Sequence, residues 1–282
     1  MRVDLHVHST ASDGAFAPAE VARRAAEAGL QAFALTDHDT LAGVAEARAA
    51  GAELGVRVIA GCEFSVDGPG GEMHLLGYFL PDGDPAVESF LADQREKRVR
   101  RAELLVGRLR KLGIAITIEQ VRAIAGSGAV GRPHVARALV ALGAVRDIGD
   151  AFDKYLGTGR AAFVPKVLPR VGEVTALVRA SGGITSAAHL KDRGMKPILQ
   201  LLKQAGVDGV EVRHPSHDES TTKRLSKLFV ELDLVPTGGT DWHGDFAEDR
   251  PGVSLGSLDI PPAWLERVER LHTERVSAEV SK

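Results

Sequence analysis

The chain has 282 residues, of which 44% are hydrophobic and 26% are charged. This composition is typical of a soluble globular protein with one large core, or one core and a small subdomain, and it excludes a disordered chain. The net charge of -3 provides no overall basic field, so attraction to phosphate groups has to come from a local patch. The single cysteine, Cys62, excludes an internal disulfide framework and a thiolate-rich zinc site.

The amino-terminal segment MRVDLHVHST lacks a basic region followed by an apolar stretch, the pattern of a secretion signal. Elsewhere no run approaches the roughly 18 consecutive apolar residues that a membrane-spanning helix needs. We therefore expect a cytoplasmic protein that does not contact membranes. The oligomeric state is left open.

Hydrophobic periodicity predicts short strands that alternate with amphipathic helices. In chain order the first five elements are the strand RVDLH, the helix PAEVARRAAEAG, the strand QAFALT, the helix AGVAEARAAGAEL and the strand VRVIAGCEF. The segment EMHLLGYF is expected to form a hairpin strand. The alternation favours parallel strands with crossover helices, as in an α/β fold.

The alternation stops at Pro85, where several helical stretches follow, and resumes near residue 171. We predict a helical insertion subdomain over residues 95–165, between the two parts of a barrel domain, 1–94 and 166–282. The second part continues with the strands GGITSAAH, DGVEVRH and LVPTGGTD and with helices over about 194–205 and 217–233.

Residues of the types that bind metals fall at the ends of most predicted strands, with His74 within the fourth, and the strand ends are the catalytic end of β/α barrels. Alternation along a strand explains the HxH spacing, because residues two apart point to one side and converge on one ion. Imidazole and carboxylate ligands without thiolates suit Mn, Fe or Zn better than Mg or Ca. The nine candidate ligands are His6, His8, Asp13, His38, Glu63, His74, His189, Asp241 and His243.

Several motifs resemble those of the polymerase and histidinol phosphatase (PHP) superfamily along nearly the whole chain. They are DLHVHSTASDG, LTDHDT, GCEFS, the lone His74, SAAH and GGTDWHG. The resemblance implies a distorted seven-stranded β/α barrel with a trinuclear metal centre. Within the superfamily, GRPHVARALV (131–140) and FVPK (163–166) resemble the branch that acts on nucleoside 3',5'-bisphosphates and short 5'-phosphorylated RNA.

The resemblance also implies how the ligands are shared among two or three divalent ions, with Mn expected first and Fe or Zn as alternatives. One ion is assigned to His6, His8, Glu63 and Asp241. Glu63 then bridges to a second ion with His74 and His189, and a third is assigned to Asp13, His38 and His243. The residues expected to carry catalysis are Asp13, His38, Glu63, Asp241 and His243.

Two further aspartates adjoin this set. Asp37 is interpreted as an acceptor that fixes a ligand imidazole, a role that carboxylates near metal sites often fill. Asp39 is interpreted as a helix cap.

Phosphate contacts are expected from basic residues of the insertion. Residues 93–111 hold eight Lys or Arg and three Asp or Glu, although pairs such as Glu96 with Arg100 are equally typical of a solvated helix face. Arg132 and His134 flank Pro133 at a helix start, where backbone amides favour an anion, and capping is the alternative role. The other candidate substrate-binding residues are Lys166, His214 and His217.

These observations predict a phosphoesterase in which a hydroxide bridging two metal ions attacks phosphorus. No Walker A loop is present and the single cysteine has no recognisable catalytic partner, which favours hydrolysis over phosphotransfer. The alternatives are a histidinol-phosphate-type phosphatase and a non-catalytic metal-binding module. The metal identity, the preference for mononucleotide or RNA, and the residue that protonates the leaving group are left open.

Overall fold

The computed structural model describes residues 1–126, 128–244 and 253–280. Its seven strands are β1 Val3–Val7, β2 Ala32–Leu35, β3 Arg57–Gly68, β4 Gly71–Tyr78, β5 Ile184–Ala187, β6 Gly209–Arg213 and β7 Val235–Gly238. The α-helices are α1 Pro18–Glu27, α2 Val44–Leu54, α3 Pro85–Lys111, α4 Ile118–Ala125, α5 Arg132–Ala141, α6 Ile148–Ala151, α7 Val171–Ala180, α8 Lys196–Gln204, α9 Glu219–Glu231 and α10 Pro262–Val280. None of these helices is both long and apolar enough to cross a bilayer.

The strands form one sheet in chain order, from β1 to β7. β1, β2 and β3 are parallel, as are β5, β6 and β7, while β4 is antiparallel to both of its neighbours. Just after β7, Trp242 pairs with Val7 of β1 through a parallel bridge. The backbone amide of His8 also donates to the Trp242 carbonyl at 2.9 Å. The prediction of an α/β fold with seven strands is confirmed, and the two edges of the sheet meet at this bridge.

Local sequence explains the crossover helices. α1 has Pro18 at its start and buries Val21, Ala22 and Ala25 against the sheet. Gly29, just past its end, has a φ of 73°, a left-handed conformation that glycine adopts without strain. The helix therefore ends where the chain turns into β2.

β3 is longer than predicted, because its pairing with β4 continues to the turn at Gly68 and Gly71. Glu63 consequently lies inside β3 and not at its end. Since β4 runs antiparallel, His74 lies in its first half and pairs with Ser65. That register brings His74 to the same edge of the sheet as the carboxyl ends of the parallel strands.

The helical segment between β4 and α7 has its own apolar cluster, with buried residues that run from Ala102 to Val164. α3 joins this cluster to the sheet, because Val87 and Leu91 pack in the core of the sheet, whereas Leu105 and Leu109 pack in the helical cluster. The predicted boundary at residues 94 and 95 therefore falls within one continuous helix. The division into two domains remains a prediction.

The prediction that Asp39 caps a helix is wrong. α2 begins at Val44 with Gly43 as its amino-terminal cap. Asp39 has a φ of 51° and its Oδ2 accepts a hydrogen bond from Arg98 Nε at 2.6 Å. Asp39 therefore connects the end of β2 to α3, because the fold brings Arg98 within reach.

Candidate metal centre

The nine predicted ligands converge at the carboxyl ends of the parallel strands. We call these nine side chains, His6, His8, Asp13, His38, Glu63, His74, His189, Asp241 and His243, the ligand cluster. Two of them, His189 and Asp241, have φ values of 30° and 50°. Such strained backbone often occurs at functional sites, where surrounding structure holds it in place.

Close approach of β7 to β1 determines the position of His6. A Cβ atom added at Gly239 would lie 2.4 Å from both the Cβ and the backbone nitrogen of His6. Only glycine fits at this position. On the other side of the same segment, Asp4 accepts from the Thr240 amide at 2.9 Å and from its hydroxyl at 2.6 Å. These contacts place the start of the GTDWH segment, and with it Asp241, beside β1.

Glu63 lies at the centre of the cluster. Its Oε2 is 3.2 Å from His6 Nε2 and 3.1 Å from His8 Nε2, and both rings also approach Asp241 Oδ1, at 3.3 and 3.1 Å. Its Oε1 is 2.7 Å from His74 Nδ1 and 2.9 Å from His189 Nε2. One carboxylate therefore contacts two sets of imidazoles, the arrangement expected of a ligand shared by two ions.

A second group of ligand atoms surrounds Asp13. His243 Nε2 lies 3.3 Å from Asp13 Oδ1, and His38 Nε2 lies 3.9 Å from Asp13 Oδ2. The ring of His8 stacks on that of His243 at 4.2 Å between centroids, so His8 adjoins both groups. His38 Nδ1 is also 3.3 Å from Glu63 Oε2. The groups are thus contiguous, with His8 and His38 between them.

The chemistry of the cluster fits divalent cations. His6 Nε2, His8 Nε2, Asp13 Oδ1 and His38 Nδ1 are buried and form no hydrogen bond of normal geometry within the described part of the chain, although polar atoms of other ligands lie 3.1 to 3.3 Å away. Burial opposes the charge of Glu63, yet the pKa of its carboxyl lies well below its ordinary value because His38, His74 and His6 stabilise the anion. Burial likewise opposes the charge of His8, but Asp241 and Glu63 raise its pKa to about 10. The carboxylates therefore stabilise positive charge on the neighbouring imidazoles. Metal ions bound to these ligands would supply that charge in place of the protons.

Glu211 contacts two residues of the ligand cluster, and the sequence prediction did not assign it a role. It is buried in β6, where its Oε1 lies 3.0 Å from His6 Nδ1 and its Oε2 accepts from the His189 amide at 2.7 Å. Its place near the end of the predicted strand DGVEVRH was the only signal in the sequence. Glu211 connects two strands and directs Nε2 of His6 toward Glu63.

Asp37 lies beside the cluster and holds the turn after β1. It accepts from the Ser9 amide at 2.8 Å and from the Ser9 and Ser12 hydroxyls at 2.6 Å each. Ser12 Oγ lies 3.4 Å from His8 Nδ1. Asp37 therefore reaches the His8 imidazole through Ser12, and not by direct contact as the predicted role would require.

An open cleft borders the ligand cluster. Seven of the nine ligands line it, and the two most deeply buried, His6 and His8, lie behind them. The same cleft is lined by four cationic side chains, which we call the basic wall: Arg98, Arg101, Arg132 and Lys166. Metal ligands and anion-binding groups thus share one solvent-accessible space.

Arg132 and Lys166, both predicted to bind substrate, lie in the basic wall. The Arg132 guanidinium packs 5.5 Å from the centroid of the Phe152 ring. Lys166 Nζ lies 2.7 Å from Glu72 Oε1 and 3.0 Å from Ser65 Oγ. Burial, together with Arg98, lowers the pKa of Lys166 to about 8. Arg98 and Arg101 come from the basic run of α3, which the sequence prediction treated as a run and not residue by residue.

The three predicted substrate-binding histidines do not line the cleft. His134 Nδ1 accepts the Gly131 amide at 2.9 Å, so its ring caps α5, the alternative role considered from the sequence. His214 is buried with Nε2 3.2 Å from Asp241 Oδ2. His217 uses both ring nitrogens on backbone groups, the Val212 carbonyl at 3.1 Å and the Lys191 amide at 3.2 Å. Their contact with substrate therefore stays a prediction.

The PHP domain family model matches residues 4–122. A "5'-3' exoribonuclease" of Haemophilus influenzae is 34% identical over 269 residues, covering 93% of this chain and 98% of its own. A "3',5'-nucleoside bisphosphate phosphatase" of Chromobacterium violaceum is 33% identical over 280 residues, covering 95% of this chain and 97% of its own.

Among solved structures, one from Bifidobacterium adolescentis, described as a metal-dependent phosphoesterase, superposes with a TM-score of 0.87 at 30% identity. It covers 95% of this chain and 96% of that chain. With relatives of this similarity along nearly its whole length, the chain belongs to the PHP domain family, and the names of these relatives describe phosphoester hydrolases.

Proposed function

We propose that this protein hydrolyses the 3'-phosphate of nucleoside 3',5'-bisphosphates and, with the same site, phosphodiester bonds of short 5'-phosphorylated RNA. The observation that carries the proposal is the shared cleft, which has the ligand cluster and the basic wall on its surface. Two anionic groups of one substrate can occupy these two places at once. The names of the Haemophilus and Chromobacterium relatives support the same substrate class.

The ligand cluster is proposed to hold two or three divalent ions, with Mn as the first candidate and Fe or Zn as the others. Nine ligands are too many for one ion of ordinary coordination number, and their mixture of imidazole and carboxylate suits these metals. Four ligand atoms of His6, His8, Glu63 and Asp241 lie within 4.8 Å of one another, as do four of His8, Asp13, His38 and His243. Bound ions supply Lewis-acid neutralisation of phosphate oxygens and a water of lowered pKa.

The protein's own groups orient the substrate for this chemistry. Asp13, His38, Glu63, Asp241 and His243 border the cleft and are the proposed catalytic ligands. Arg132 is proposed to bind the second phosphate through its planar fork, and Lys166 to bind it as a point charge. The substrate is thereby held at both ends, which lowers the entropic cost of aligning the bond to be broken.

A histidinol-phosphate-type phosphatase is the competing function. That substrate has one phosphate and an ammonium group, so with its phosphate at the ligand cluster it leaves the basic wall without an anion and brings a cation toward it. Repulsion between like charges disfavours this arrangement. A non-catalytic metal-binding module is the other alternative. Metal binding alone does not require the cationic side chains of the basic wall beside the ligands.

A panel of phosphate esters assayed with added Mn tests the proposal. Adenosine 3',5'-bisphosphate should be hydrolysed with much higher kcat/KM than adenosine 3'-phosphate or histidinol phosphate, because only the bisphosphate contacts both places. Elemental analysis of the same preparation should find two or three metal equivalents per chain. Equal or reversed efficiencies would favour the small-metabolite phosphatase, and bound metal without turnover of any ester would favour the non-catalytic module.

A further inference from the structure

A second, smaller cavity adjoins the cleft on the far side of the basic wall, and we call it the outer cavity. It shares Arg98, Arg101, Arg132 and Lys166 with the cleft. None of the nine residues of the ligand cluster, all of which the structure describes, borders it. The basic wall therefore separates the metal side of the site from a space that the bisphosphate reaction leaves unused.

The outer cavity is strongly cationic at its rim. Lys97 adds a fifth cation to the four of the basic wall, while the cavity borders one carboxylate, Asp39, which is already paired with Arg98 at 2.6 Å. Lys97 itself lies 2.6 Å from Asp93 on the exposed face of α3. Lys166 is likewise paired with Glu72, at 2.7 Å. Arg101 and Arg132 therefore remain as the cations of the cavity that form no salt bridge with a described carboxylate, and they favour an anion there.

Arg101 has a hydrogen-bonding group that the described chain leaves unused. Its Nε donates to the Val164 carbonyl at 2.8 Å, whereas its Nη2 is buried without a partner in the described residues. A buried guanidinium donor without an acceptor is costly, and a bound anion would satisfy it. Burial and the neighbouring Arg132 also lower the pKa of Arg101 to about 10. A negative group between Arg101 and Arg132 would accept a hydrogen bond from Arg101 Nη2 and would stabilise the positive charge of Arg101.

We propose that the outer cavity binds a further phosphate on the 5' side of the substrate, so that the protein also takes nucleoside 3'-phosphate 5'-diphosphates. This inference rests on the proposed function, in which the 3'-phosphate lies at the ligand cluster and the first 5'-phosphate at the basic wall. Since the basic wall borders both spaces, the next phosphate along the substrate enters the outer cavity. Water cleaves the 3' phosphorus–oxygen bond, which releases inorganic phosphate and the nucleoside 5'-diphosphate.

Substitution of Val167 tests the cavity without changing the basic wall. Val167 lines the outer cavity and is 73% exposed, so longer side chains fit without disturbing the core. Val167→Glu and Val167→Lys introduce side chains of comparable size and opposite charge. A steric or folding effect would lower the activity of both variants. If an anion binds in the cavity, Val167→Lys should be more active than Val167→Glu. Val230→Glu, at a 66% exposed valine of α9, is the matched control.

The experiment compares kcat/KM for adenosine 3',5'-bisphosphate and adenosine 3'-phosphate 5'-diphosphate, with products identified by phosphorus NMR. We expect wild type to hydrolyse both. For each substrate, kcat/KM of Val167→Lys is divided by kcat/KM of Val167→Glu. This quotient should be at least about tenfold higher for the 5'-diphosphate than for the bisphosphate, as expected for a charge-assisted contact. The control should match wild type.

Three outcomes would overturn the inference. Equal ratios for the two substrates would show that the cavity does not contact the additional phosphate. Hydrolysis of the bisphosphate without hydrolysis of the 5'-diphosphate would reject the outer cavity and leave the proposed function intact. Failure to hydrolyse the bisphosphate would reject both.

Discussion

The Glu211 carboxylate and the His6 imidazole are paired inside the sheet, with Glu211 Oε1 3.0 Å from His6 Nδ1. The pairing leaves His6 Nε2 facing the carboxylates of Glu63 and Asp241. Both carboxylates also contact His8 Nε2. β6 thus contributes a residue that orients a ligand, where the neighbouring strands contribute ligands themselves. Carboxylates that fix ligand imidazoles in this way commonly tune metal affinity.

Replacement of Glu211 should therefore weaken metal binding. Glu211→Gln keeps the volume but removes the charge, so we expect metal affinity to fall by about 10- to 100-fold. Competition with a chelating dye measures the affinity. Glu219→Gln, an exposed position at the start of α9, is the control and should bind metal as wild type does. Unchanged affinity in Glu211→Gln would show that the pairing supports only the packing of β6.

Loss of a ligand should abolish turnover without unfolding the protein. Asp241→Asn and His38→Ala each remove an atom that borders the cleft, and we expect kcat to fall on the order of a hundredfold or more, because bound metal contributes several kcal/mol to the transition state. Circular dichroism should remain that of wild type, since residues at this end of the strands serve chemistry more than stability.

Asp259→Asn is the control for this pair, because Asp259 is almost fully exposed and contacts Arg213 at 3.2 Å, outside the cleft. It should retain wild-type activity. If Asp241→Asn or His38→Ala retained activity as well, that residue would not belong to the catalytic site.

Arg132→Ala should reduce phosphatase efficiency while metal content stays at the wild-type level. A charge-assisted hydrogen bond contributes about 1.5 to 3 kcal/mol, which corresponds to about a tenfold to more than a hundredfold fall in kcat/KM. Arg132→Lys should recover only part of the loss, since an ammonium keeps the charge and loses the fork. A rise in KM alone would indicate equal contact in ground and transition states.

A small effect of Arg132→Ala would contradict the proposed contact with phosphate. A change below about threefold in both constants, well under the value of a charge-assisted bond, would show that Arg132 does not contact the substrate and that α5 serves only the packing of the helical cluster. Arg122→Ala, at an exposed position of α4 paired with Glu103, provides the comparison for a surface arginine of the same helical segment.

Deprotonation of Lys166 should lower the activity at alkaline pH. Its pKa of about 8 means that it is charged at neutral pH and loses its proton as the pH rises through 8. The surrounding groups are Glu72, which favours the charge, and Arg98 and Arg132, which oppose it. Phosphate monoesters are already dianionic above about pH 6, so their charge does not change in this range.

The profile of kcat/KM for the bisphosphate should therefore decline between pH 7.5 and 9.5, by roughly tenfold per unit of pH above the lysine pKa if the charged form is required. In Lys166→Arg the charge persists, so the decline should be absent or shifted to higher pH. Identical alkaline limbs in wild type and Lys166→Arg would assign the decline to another group.

The amino-acid sequence by itself determined the α/β class, the seven strands and the gathering of ligand residues at one end of the sheet. These features depend on local rules. Alternation in β1 directs His6 and His8 to one side, and parallel strands in chain order bring residues such as His38 and Asp241 to a common edge. Caps and apolar periodicity likewise placed α1 close to its observed bounds.

Only the tertiary structure decided which atoms meet. Glu63 became central because the hairpin with β4 extends β3 and aligns His74 with its Oε1, and His134 became a cap because its ring turns to the Gly131 amide. Arg98 and Arg101 join the cleft because α3 crosses from the sheet to the helical cluster beside the end of β2. Ring orientations and contacts between distant segments depend on packing across the whole fold, so no spacing along the chain encodes them.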